Sequence, residues 1–391
     1  MRIAIVANSS WYVYNFRRNL MKALLDAGHE VVVLAGADDY VERLRSEGWT
    51  VFPIPFTGSG TNPFQELKTV LALREMARSS RFDVLLSYTP KGNIYTYVAT
   101  LGFGARRVPN ISGLGRAFVE NGPLARLARV LYRFALRGAW CVFFQNRDDR
   151  ALFETAGIVQ HGRSRLLPGS GVDLAHFTPT PLPAATGRGP RFLMVARLLR
   201  EKGVEEFVGA AEIMQSTRPD CSFALLGPLD ATPGRGVDRE RIAEWVGRGL
   251  IDYLGTTDDV RPHLAASDCV VLPSYYREGV PRSLLEGAAM ARPLITTDTP
   301  GCRDCVSPGI NGFIVQPRDP VALSEAVQRV AGLSNDQRQA MGDASRAKVE
   351  REFSEERVIS AYLQIVNDLA HDDSGLAPIA SLRGEGPTKP E

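Results

Sequence analysis

The amino-acid sequence predicts an α/β protein with two domains. Its 391 residues are too many for one typical hydrophobic core, so two domains are expected. Short apolar runs rich in β-branched residues alternate with helical segments from the first residues onward, which is typical of parallel sheets covered by helices. Residues 178–190 are rich in Pro, Ala, Gly and Thr, and this composition predicts a linker between two series of elements.

The first series starts with a strand at Arg2–Ala7, a helix at Phe16–Ala27 and a strand at Glu30–Ala35. Residues 8–14 are predicted to form the loop between the first strand and the helix. This loop lacks the G-x-G-x-x-G pattern of dinucleotide-binding proteins. Its aromatic residues leave two interpretations open: a loop that contacts a ligand or a membrane, or ordinary helix packing beside a solvated basic face.

Further strand–helix units complete this series. A helix is expected near Asn62–Ser79, strands at Asp83–Ser87 and Cys141–Gln145, and another helix at Arg147–Ala156. Lys91 follows the strand at Asp83–Ser87, and ligands of open α/β sheets bind at the carboxyl ends of the strands. Lys91 is therefore a candidate ligand-binding residue.

A helix predicted at Pro123–Gly138 has arginines every three to four residues along one face: Arg126, Arg129, Arg133 and Arg137. Such a helix can lie on an anionic membrane, where each arginine near the surface contributes ~1 kcal/mol, or its arginines can be solvated or paired with carboxylates. Residues 1–170 hold 22 Lys and Arg against 13 Asp and Glu, whereas residues 171–391 hold 24 against 31, which gives net charges of +9 and −7. The positive first half favours the membrane interpretation.

The second series opens with a strand at Arg191–Ala196, which places Arg197 and Lys202 in the loop before the next helix. The remaining strands are expected at Ser222–Leu226, Ile251–Leu254, Cys269–Pro273 and Leu294–Thr297, and the helices at Val260–Ala266, Arg282–Met290, Asp319–Leu333, Asn335–Glu352 and Ser354–Leu369. Residues 372–391 are rich in Pro, Gly and Ser and are expected to be disordered.

The most informative stretch is the strand–loop–helix unit at residues 269–290, with Glu278 on the loop and Glu286 two turns inside the helix. Backbone N–H groups of residues 279–283 are unpaired donors at the positive end of the helix dipole, which suits a phosphate. A carboxylate beside a phosphate would be repelled, so both glutamates are interpreted as acceptors for sugar and ribose hydroxyls. Taken alone, their spacing also fits two solvated glutamates at a helix start.

The wider segment SYYREGVPRSLLEGAAMARPLITTDTPGC resembles the E-x7-E region of retaining glycosyltransferases of family 4, group 1, which have the GT-B fold. The segment ISGLG at residues 111–115 resembles the Gly-Leu-Gly loop of members that act on undecaprenyl-diphosphate-linked saccharides. The resemblance implies two Rossmann-like domains facing a cleft. These would be an acceptor-binding domain at 1–172, a linker at 173–190, a nucleotide-sugar-binding domain at 191–353 and a helix at 354–371 that crosses back to the first domain.

The same resemblance implies roles for individual residues. Glu278, Arg197 and Lys202 are the implied catalytic residues, and the two cations would stabilise the departing diphosphate of the donor. The implied donor-binding residues are Gly279, Val280, Pro281, Arg282, Ser283, Glu286 and Thr256. The acceptor-side candidates are Ser10, Lys91, Gly113 and Gly115. The sequence contains no Asp-x-Asp triplet, so neither a metal nor another cofactor is expected.

The expected reaction is transfer of a sugar from a UDP-sugar to an undecaprenyl-diphosphate-linked saccharide during O-antigen, capsule or glycan assembly, with an N-acetylhexosamine as one candidate sugar. The expected partners are the nucleotide sugar, the lipid-linked acceptor and an anionic membrane surface. Two alternatives remain open: a nucleotide-sugar 2-epimerase of the same fold, and a non-catalytic scaffold of a glycan-assembly complex. Nucleic-acid binding is not expected, because the basic residues lie on a helix outside any recognisable nucleic-acid-binding module.

The expected location is the cytoplasm, at the inner face of the plasma membrane. No run approaches the ~18 continuous apolar residues of a membrane span, and the N-terminus is predicted to be a strand instead of a signal peptide. The five cysteines are scattered and odd in number, which argues against a disulfide framework. Cys302 and Cys305 form a lone C-x-x-C pair for which zinc or redox chemistry is not favoured.

Overall fold

The computed structural model describes residues 1–57, 62–114, 123–184, 187–230 and 235–371. These residues form two parallel β-sheets with helices packed against them, so the predicted α/β class with two Rossmann-like domains is confirmed. The tail at 372–391, expected to be disordered, lies outside the described residues.

The first sheet has seven parallel strands in the order β3-β2-β1-β4-β5-β6-β7. They are β1 (Arg2–Ala7), β2 (Glu30–Gly36), β3 (Thr50–Ile54), β4 (Val84–Tyr88), β5 (Arg106–Ile111), β6 (Val142–Phe144) and β7 (Ser164–Leu166). The chain builds outward from β1 to β3 and then returns to β4 beside β1. The carboxyl ends of β1 and β4 therefore form a switch point, where such sheets bind ligands.

Six helices connect these strands: α1 (Ser10–Asp26), α2 (Tyr40–Ser46), α3 (Pro63–Ser80), α4 (Pro90–Ala99), α5 (Pro123–Arg137) and α6 (Arg147–Thr155). Alternating residues of β1 face opposite sides of the sheet, as in any strand. Ile3 and Ile5 join the core beneath α1, whereas Ala4 and Val6 join the core beneath α3 and α4. Helix α4 packs against both α3 and α5, so these three helices lie side by side in one layer.

The second sheet has six parallel strands in the order β10-β9-β8-β11-β12-β13. They are β8 (Arg191–Val195), β9 (Ser222–Leu226), β10 (Asp252–Tyr253), β11 (Cys269–Leu272), β12 (Leu294–Thr297) and β13 (Gly312–Val315). Its helices are α7 (Val204–Thr217), α8 (Arg239–Gly247), α9 (Arg261–Ala265), α10 (Arg282–Ala289), α11 (Pro320–Gly332) and α12 (Asn335–Glu352). The return from β10 to β11 beside β8 creates a second switch point, equivalent to the first.

The predicted crossing helix is present as α13 (Glu355–His371) and packs on the first domain. Its Tyr362 is fully buried, and the Tyr362 hydroxyl accepts a hydrogen bond from Asn110 Nδ2 at 2.8 Å. The chain passes between the domains twice at adjacent positions. Val172 donates its N–H to the carbonyl of Phe353, and Glu355 donates its N–H to the carbonyl of Val172, each at 3.0 Å.

The structure corrects the loop predicted at residues 8–14. Helix α1 begins at Ser10, because the Ser9 hydroxyl accepts the N–H of Tyr12 at 3.2 Å and caps the helix. Trp11, Tyr12 and Tyr14 therefore lie on the first turns of α1 and belong to no loop. Tyr12 packs edge-on against Phe16 with ring centroids 5.2 Å apart, as the helix-packing interpretation expects, and Trp11, Tyr12 and Tyr14 also line the cleft between the domains, as the ligand-contact interpretation expects.

Candidate active site

A cleft with a cavity volume of about 580 Å³ separates the carboxyl ends of the two sheets. Its walls come from α1 and the loops after β5 and β6 on one side, and from the loops after β8, β10 and β11 on the other. All of the predicted catalytic and donor-binding residues except Thr256 line this cleft: Arg197, Lys202, Glu278, Gly279, Val280, Pro281, Arg282, Ser283 and Glu286. The structure thus brings together residues that are more than eighty positions apart in the chain.

Glu278 lies in the loop after β11 and is only 8% exposed. Lys202 Nζ lies 2.5 Å from Glu278 Oε1, and the Ser274 hydroxyl donates to the same oxygen at 2.9 Å. Lys202 belongs to a short 3-10 turn after β8, so this ion pair connects the two loops at the switch point of the second sheet. The carboxylate is therefore held in one orientation through one of its oxygens.

The close approach of these two loops depends on Gly203. Its φ of +83° is a conformation that favours glycine, and a Cβ there would lie 2.2 Å from the carbonyl oxygen of Pro273. Any other residue would push apart the loops that carry Lys202 and Glu278. Beside the pair, Lys202 Nζ lies 5.3 Å from the ring centroid of Tyr276, whose pKa is raised by burial and by Glu278.

Glu286 lies one turn after Arg282 on α10 and pairs with it: Arg282 Nε donates to Glu286 Oε1 at 3.0 Å. Burial raises the pKa of Glu286, and the Arg282 guanidinium opposes that shift. Arg282 also reaches the first domain: its guanidinium lies 4.9 Å from the ring centroid of Phe16, and it donates to the carbonyl of Gly171 at 3.2 Å. Helix α10 is therefore connected to α1 through Phe16 and to the first domain's last residues through Gly171.

Three cations lie near the N-terminus of α10, and each is close to a carboxylate: Arg197 to Asp230, Lys202 to Glu278 and Arg282 to Glu286. Pro281 precedes the helix and supplies no side-chain cap to its first turn, and residues 279–283 line the cleft. Arg197, at the end of β8, extends into the same cleft with 57% of its side chain exposed and with Asp230 3.5 Å away. A helix N-terminus flanked by Arg197 and Lys202 can bind a diphosphate.

The opposite wall is formed by polar residues of the first domain that the sequence prediction missed. Asn19 Nδ2 donates to Asp173 Oδ2 at 2.9 Å and to Glu355 Oε2 at 2.6 Å. Burial raises the pKa of Glu355; the pKa of Asp173 is lowered, because hydrogen bonds from the His176 N–H and Asn19 outweigh its burial. Amides and carboxylates together suit the hydroxyls of a saccharide. Ser112, Gln145 and Ser170 complete this wall.

Three of the acceptor-side candidates make contacts within the protein. Ser10 is fully buried and its hydroxyl donates to the carbonyl of Gly36 at 2.8 Å, so it joins the start of α1 to the end of β2. Lys91 pairs with Glu66 at 2.6 Å and donates to Thr57 Oγ1 at 2.9 Å, away from the cleft-lining residues. Gly113 forms a β-bridge with Glu278.

Two further predictions concern Gly115 and Thr256. Gly115, the remaining acceptor-side candidate, lies outside the described residues. Thr256 is exposed, and its neighbour Thr257 lines the cleft instead. At the mouth of the cleft, Asp258 accepts hydrogen bonds from the Tyr40 hydroxyl at 2.9 Å and from Arg43 at 3.1 Å. The loop after β10 thereby contacts α2 of the first domain.

Helix α5 presents both arginines and apolar side chains to its surroundings. Arg126 and Arg137 are exposed, Arg129 is half-buried, and Arg133 donates to the carbonyl of Ala156 at 2.8 Å. Beside them, an apolar stripe is about half exposed and consists of Leu127, Val130, Leu131 and Phe134. Among the helices that the structure describes, none is both long and apolar enough to cross a bilayer.

The two cysteines of the C-x-x-C pair are buried free thiols. Burial, with Glu278 as the next contribution, raises the pKa of Cys302 to about 12, so this thiol stays protonated. Within the described part of the chain, no group of three or more His, Cys, Asp or Glu side chains is arranged to hold a metal ion.

Comparison with known proteins assigns both domains. The family model described as "Glycosyl transferase 4-like domain" matches residues 15–170, and the model described as "Glycosyl transferases group 1" matches residues 189–332. Among solved structures, sucrose-phosphate synthase from Thermosynechococcus elongatus aligns with a TM-score of 0.79 at 21% identity over 95% of this chain and 99% of that chain. Anabaena HepE in complex with UDP aligns with a TM-score of 0.74 at 16% identity over 94% of this chain and 100% of that chain.

Two relatives are similar over most of their length. The N,N'-diacetylbacillosaminyl-diphospho-undecaprenol alpha-1,3-N-acetylgalactosaminyltransferase of Campylobacter jejuni is 26% identical over 93% of this chain and 98% of its own. The UDP-Gal:alpha-D-GlcNAc-diphosphoundecaprenol alpha-1,3-galactosyltransferase of Escherichia coli is 23% identical over 71% of this chain and 74% of its own. With a cleft between two Rossmann-like domains that both match family models, the chain belongs to the group 1, family 4 glycosyltransferases of the GT-B fold.

Proposed function

We propose that this glycosyltransferase moves a sugar from a UDP-sugar to an undecaprenyl-diphosphate-linked saccharide, with retention of configuration and without a metal ion. The observation that carries the proposal is the Glu278–Lys202 pair near the N-terminus of α10, inside the cleft between the domains. The names of both relatives specify a saccharide joined to undecaprenol through a diphosphate. Both also specify an alpha linkage, which requires retention when the nucleotide sugar is itself alpha-linked.

The donor diphosphate would bind where Arg197, Lys202 and the first turn of α10 converge. As the glycosidic bond breaks, negative charge grows on the leaving diphosphate, and these fixed positive groups stabilise it in a partly closed cleft. They supply the charge that a metal ion supplies in other transferases. Glu286 would accept a hydrogen bond from a ribose hydroxyl, and Glu278 from a hydroxyl of the transferred sugar.

The transfer step is written as a front-face displacement. The bond between the anomeric carbon and the diphosphate oxygen breaks while a bond to the acceptor hydroxyl oxygen forms on the same face. The acceptor proton passes to the departing phosphate oxygen, so the products are the extended saccharide and UDP. Glu278 faces the developing positive charge on the sugar, and its carboxylate is already oriented by Lys202 and Ser274.

The acceptor would enter along the wall of the first domain. Asn19, Asp173 and Glu355 are connected by hydrogen bonds there and can exchange them for saccharide hydroxyls. This wall faces the Glu278 side of the cleft.

The lipid part of the acceptor and the exposed surface of α5 support peripheral association with an anionic membrane. The apolar stripe at Leu127, Val130, Leu131 and Phe134 can enter the interfacial region, while Arg126 and Arg137 meet lipid phosphates. Helix α3, in the same layer, adds exposed apolar residues: Phe64 is 85% exposed, and Leu67 and Leu71 are each 55% exposed. The first domain therefore has two helices in one layer, α3 and α5, whose exposed apolar side chains can contact a bilayer.

A transfer assay tests the function. Purified protein is incubated with UDP-N-acetylhexosamines and a synthetic undecaprenyl-diphosphate-linked saccharide, and mass spectrometry follows UDP and extended lipid. We expect the two products in equal amounts, with no loss on adding EDTA. Lys202→Ala should lower kcat/KM roughly 30- to 150-fold, because a charged donor to the leaving group is removed. This factor corresponds to a loss of ~2–3 kcal/mol of transition-state stabilisation.

The matched control is Lys348→Ala, which removes a lysine that pairs with Glu352 on α12, outside the cleft-lining residues. This control should keep wild-type turnover. An epimerised UDP-sugar without extended lipid would instead identify a 2-epimerase. A protein that releases no UDP from any donor would support the scaffold alternative and overturn the proposal.

A further inference from the structure

The backbone of the loop that carries Glu278 is hydrogen-bonded to residues of the first domain. Gly113, just after β5, forms an antiparallel β-bridge with Glu278. Asn146, just after β6, donates its Nδ2 hydrogens to the carbonyls of Glu278 at 3.0 Å and Gly279 at 3.2 Å. The side chain of Glu278 is oriented by the second domain, whereas its main chain is fixed by the first.

The amide group of Asn146 serves two elements at once. Its Oδ1 accepts the N–H of Asp149 at 2.8 Å and so caps the start of α6, while its Nδ2 reaches across the domain boundary. Helix capping needs only the acceptor oxygen. A serine at this position would therefore preserve the cap and lose the bonds to the loop.

A second contact comes from the same turn of α6. Arg277 Nε donates to Asp149 Oδ1 at 2.5 Å, and the Asp149 side chain is fully buried. Burial raises the pKa of Asp149, and Arg277 opposes the shift. Because a buried carboxylate without its partner is strongly disfavoured, this pair favours the arrangement in which the two domains touch.

Backbone contact sets the separation of the domains here. A Cβ at Gly279 would lie 2.8 Å from the carbonyl carbon of Ser112, and a Cβ at Gly113, where φ is +105°, would lie 2.6 Å from the N atom of Gly279. Side chains at either position would hold the loop away from Asn146. The contact therefore forms only at one domain spacing.

We propose that Asn146 and Asp149 are positioning residues: from the first domain they hold the backbone of the Glu278 loop in the geometry that sugar transfer requires. This inference rests on the proposed function in assigning Glu278 to the transferred sugar. When the domains separate, Glu278 keeps its partner Lys202 but loses its main-chain support. Transfer thereby depends on contact between the domains, and a donor bound to the open form is spared hydrolysis.

The test compares Asn146→Ser with two matched controls in the full-length protein. Asn62→Ser changes an asparagine that caps α3 through the N–H of Phe64. Asp148→Asn removes a half-exposed pair with Arg303, 3.3 Å long, from the same turn of α6. Asp149→Asn is the second test variant, because it keeps the shape of the buried side chain and weakens the contact with Arg277.

For Asn146→Ser we expect kcat to fall at least about tenfold, with the KM for the UDP-sugar changed less than about twofold, because Nδ2 loses its buried hydrogen bonds to the carbonyls of Glu278 and Gly279 and to Asp149 Oδ2. The KM should hold because the donor site lies in the second domain. Amide hydrogen exchange should rise in the peptide covering residues 274–281. Asp149→Asn should change both quantities in the same direction, and both controls should match the wild type.

Unchanged kcat in Asn146→Ser and Asp149→Asn would overturn the inference. An equal fall in kcat in the control Asn62→Ser would overturn it as well. The exchange measurement needs no substrate. If the wild type transfers no sugar, the proposed function fails, whereas unchanged exchange at residues 274–281 in both test variants refutes the positioning role by itself.

Discussion

Glu286 is a carboxyl whose burial raises its pKa although Arg282 lies 3.0 Å away. In the unfolded chain a glutamate titrates near ~4.3. Below that pH the group is protonated in both states, and its contribution to stability is fully present. As the pH rises through the raised pKa of the folded state, ionisation favours the unfolded chain, so this contribution is lost.

Replacing Glu286 with glutamine should therefore change the pH dependence of stability. We expect the free energy of unfolding of Glu286→Gln, relative to the wild type, to increase as the pH rises from about 4.5 to 7.5. Urea denaturation at several pH values measures this difference. Glu356→Gln, at an exposed position of α13, is the control and should give a flat difference. A flat difference for Glu286→Gln would contradict the buried-carboxyl interpretation.

At this scale the sequence predicted more of the cleft-lining residues of the second domain than of the first. Arg197, Lys202, Glu278 and Glu286 stand in spaced motifs at strand ends, and the parallel sheet brings such ends together. Asn19 and Ser170 have no such signal, and Gln145, although it ends a predicted strand, belongs to no spaced motif. They are common polar residues on three separate segments, and only the folded arrangement of α1, β6 and the crossing segment makes them neighbours.

Among the elements, buried strands such as β1, β9 and β12 were predicted at their observed bounds, because a short apolar run between loop residues has few other interpretations. The start of α1 was missed. Its first turn carries Trp11, Tyr12 and Tyr14, whose bulk argues against a helix, while the cap at Ser9 overrides that preference. Short elements such as α2 and β7 take their form from packing, which local patterns do not encode.

Helix α5 gives a prediction at the element scale. Replacing Arg126 and Arg137 with glutamine should weaken binding to anionic vesicles about thirtyfold at low salt, because each arginine near the membrane contributes ~1 kcal/mol. Co-sedimentation with vesicles of anionic and neutral composition measures this. Both side chains are exposed, so the fold should be unaffected.

The control is a variant with the same loss of charge in the second domain, Arg241→Gln with Arg351→Gln, at two exposed positions. It should bind as the wild type does. Equal weakening in both variants would mean that net charge, and not α5, determines binding.

For the whole molecule, the two domains contribute to one cleft, so a ligand bound there stabilises them together. UDP at a hundredfold its Kd should add ~2.7 kcal/mol to the free energy of unfolding, seen as a higher midpoint in thermal denaturation. UMP at the same concentration should give a smaller shift, because it lacks the outer phosphate that Arg197 and Lys202 are proposed to bind. Equal shifts for the two nucleotides would show that Arg197 and Lys202 do not bind the outer phosphate.

The adjacency of Val172 and Ser354 has a consequence for how such a protein can be rebuilt. Because α13 belongs to the first domain, residues 173–353 are topologically an insert whose two ends lie side by side. Paired strands are only ~4.8 Å apart, so a splice of one or two residues could close the gap and leave the first domain with its complete sheet and α13. An exchange of the second domain between relatives therefore involves two neighbouring junctions, and the exchanged domain must also keep the contacts that Asn146 and Asp149 make with the Glu278 loop.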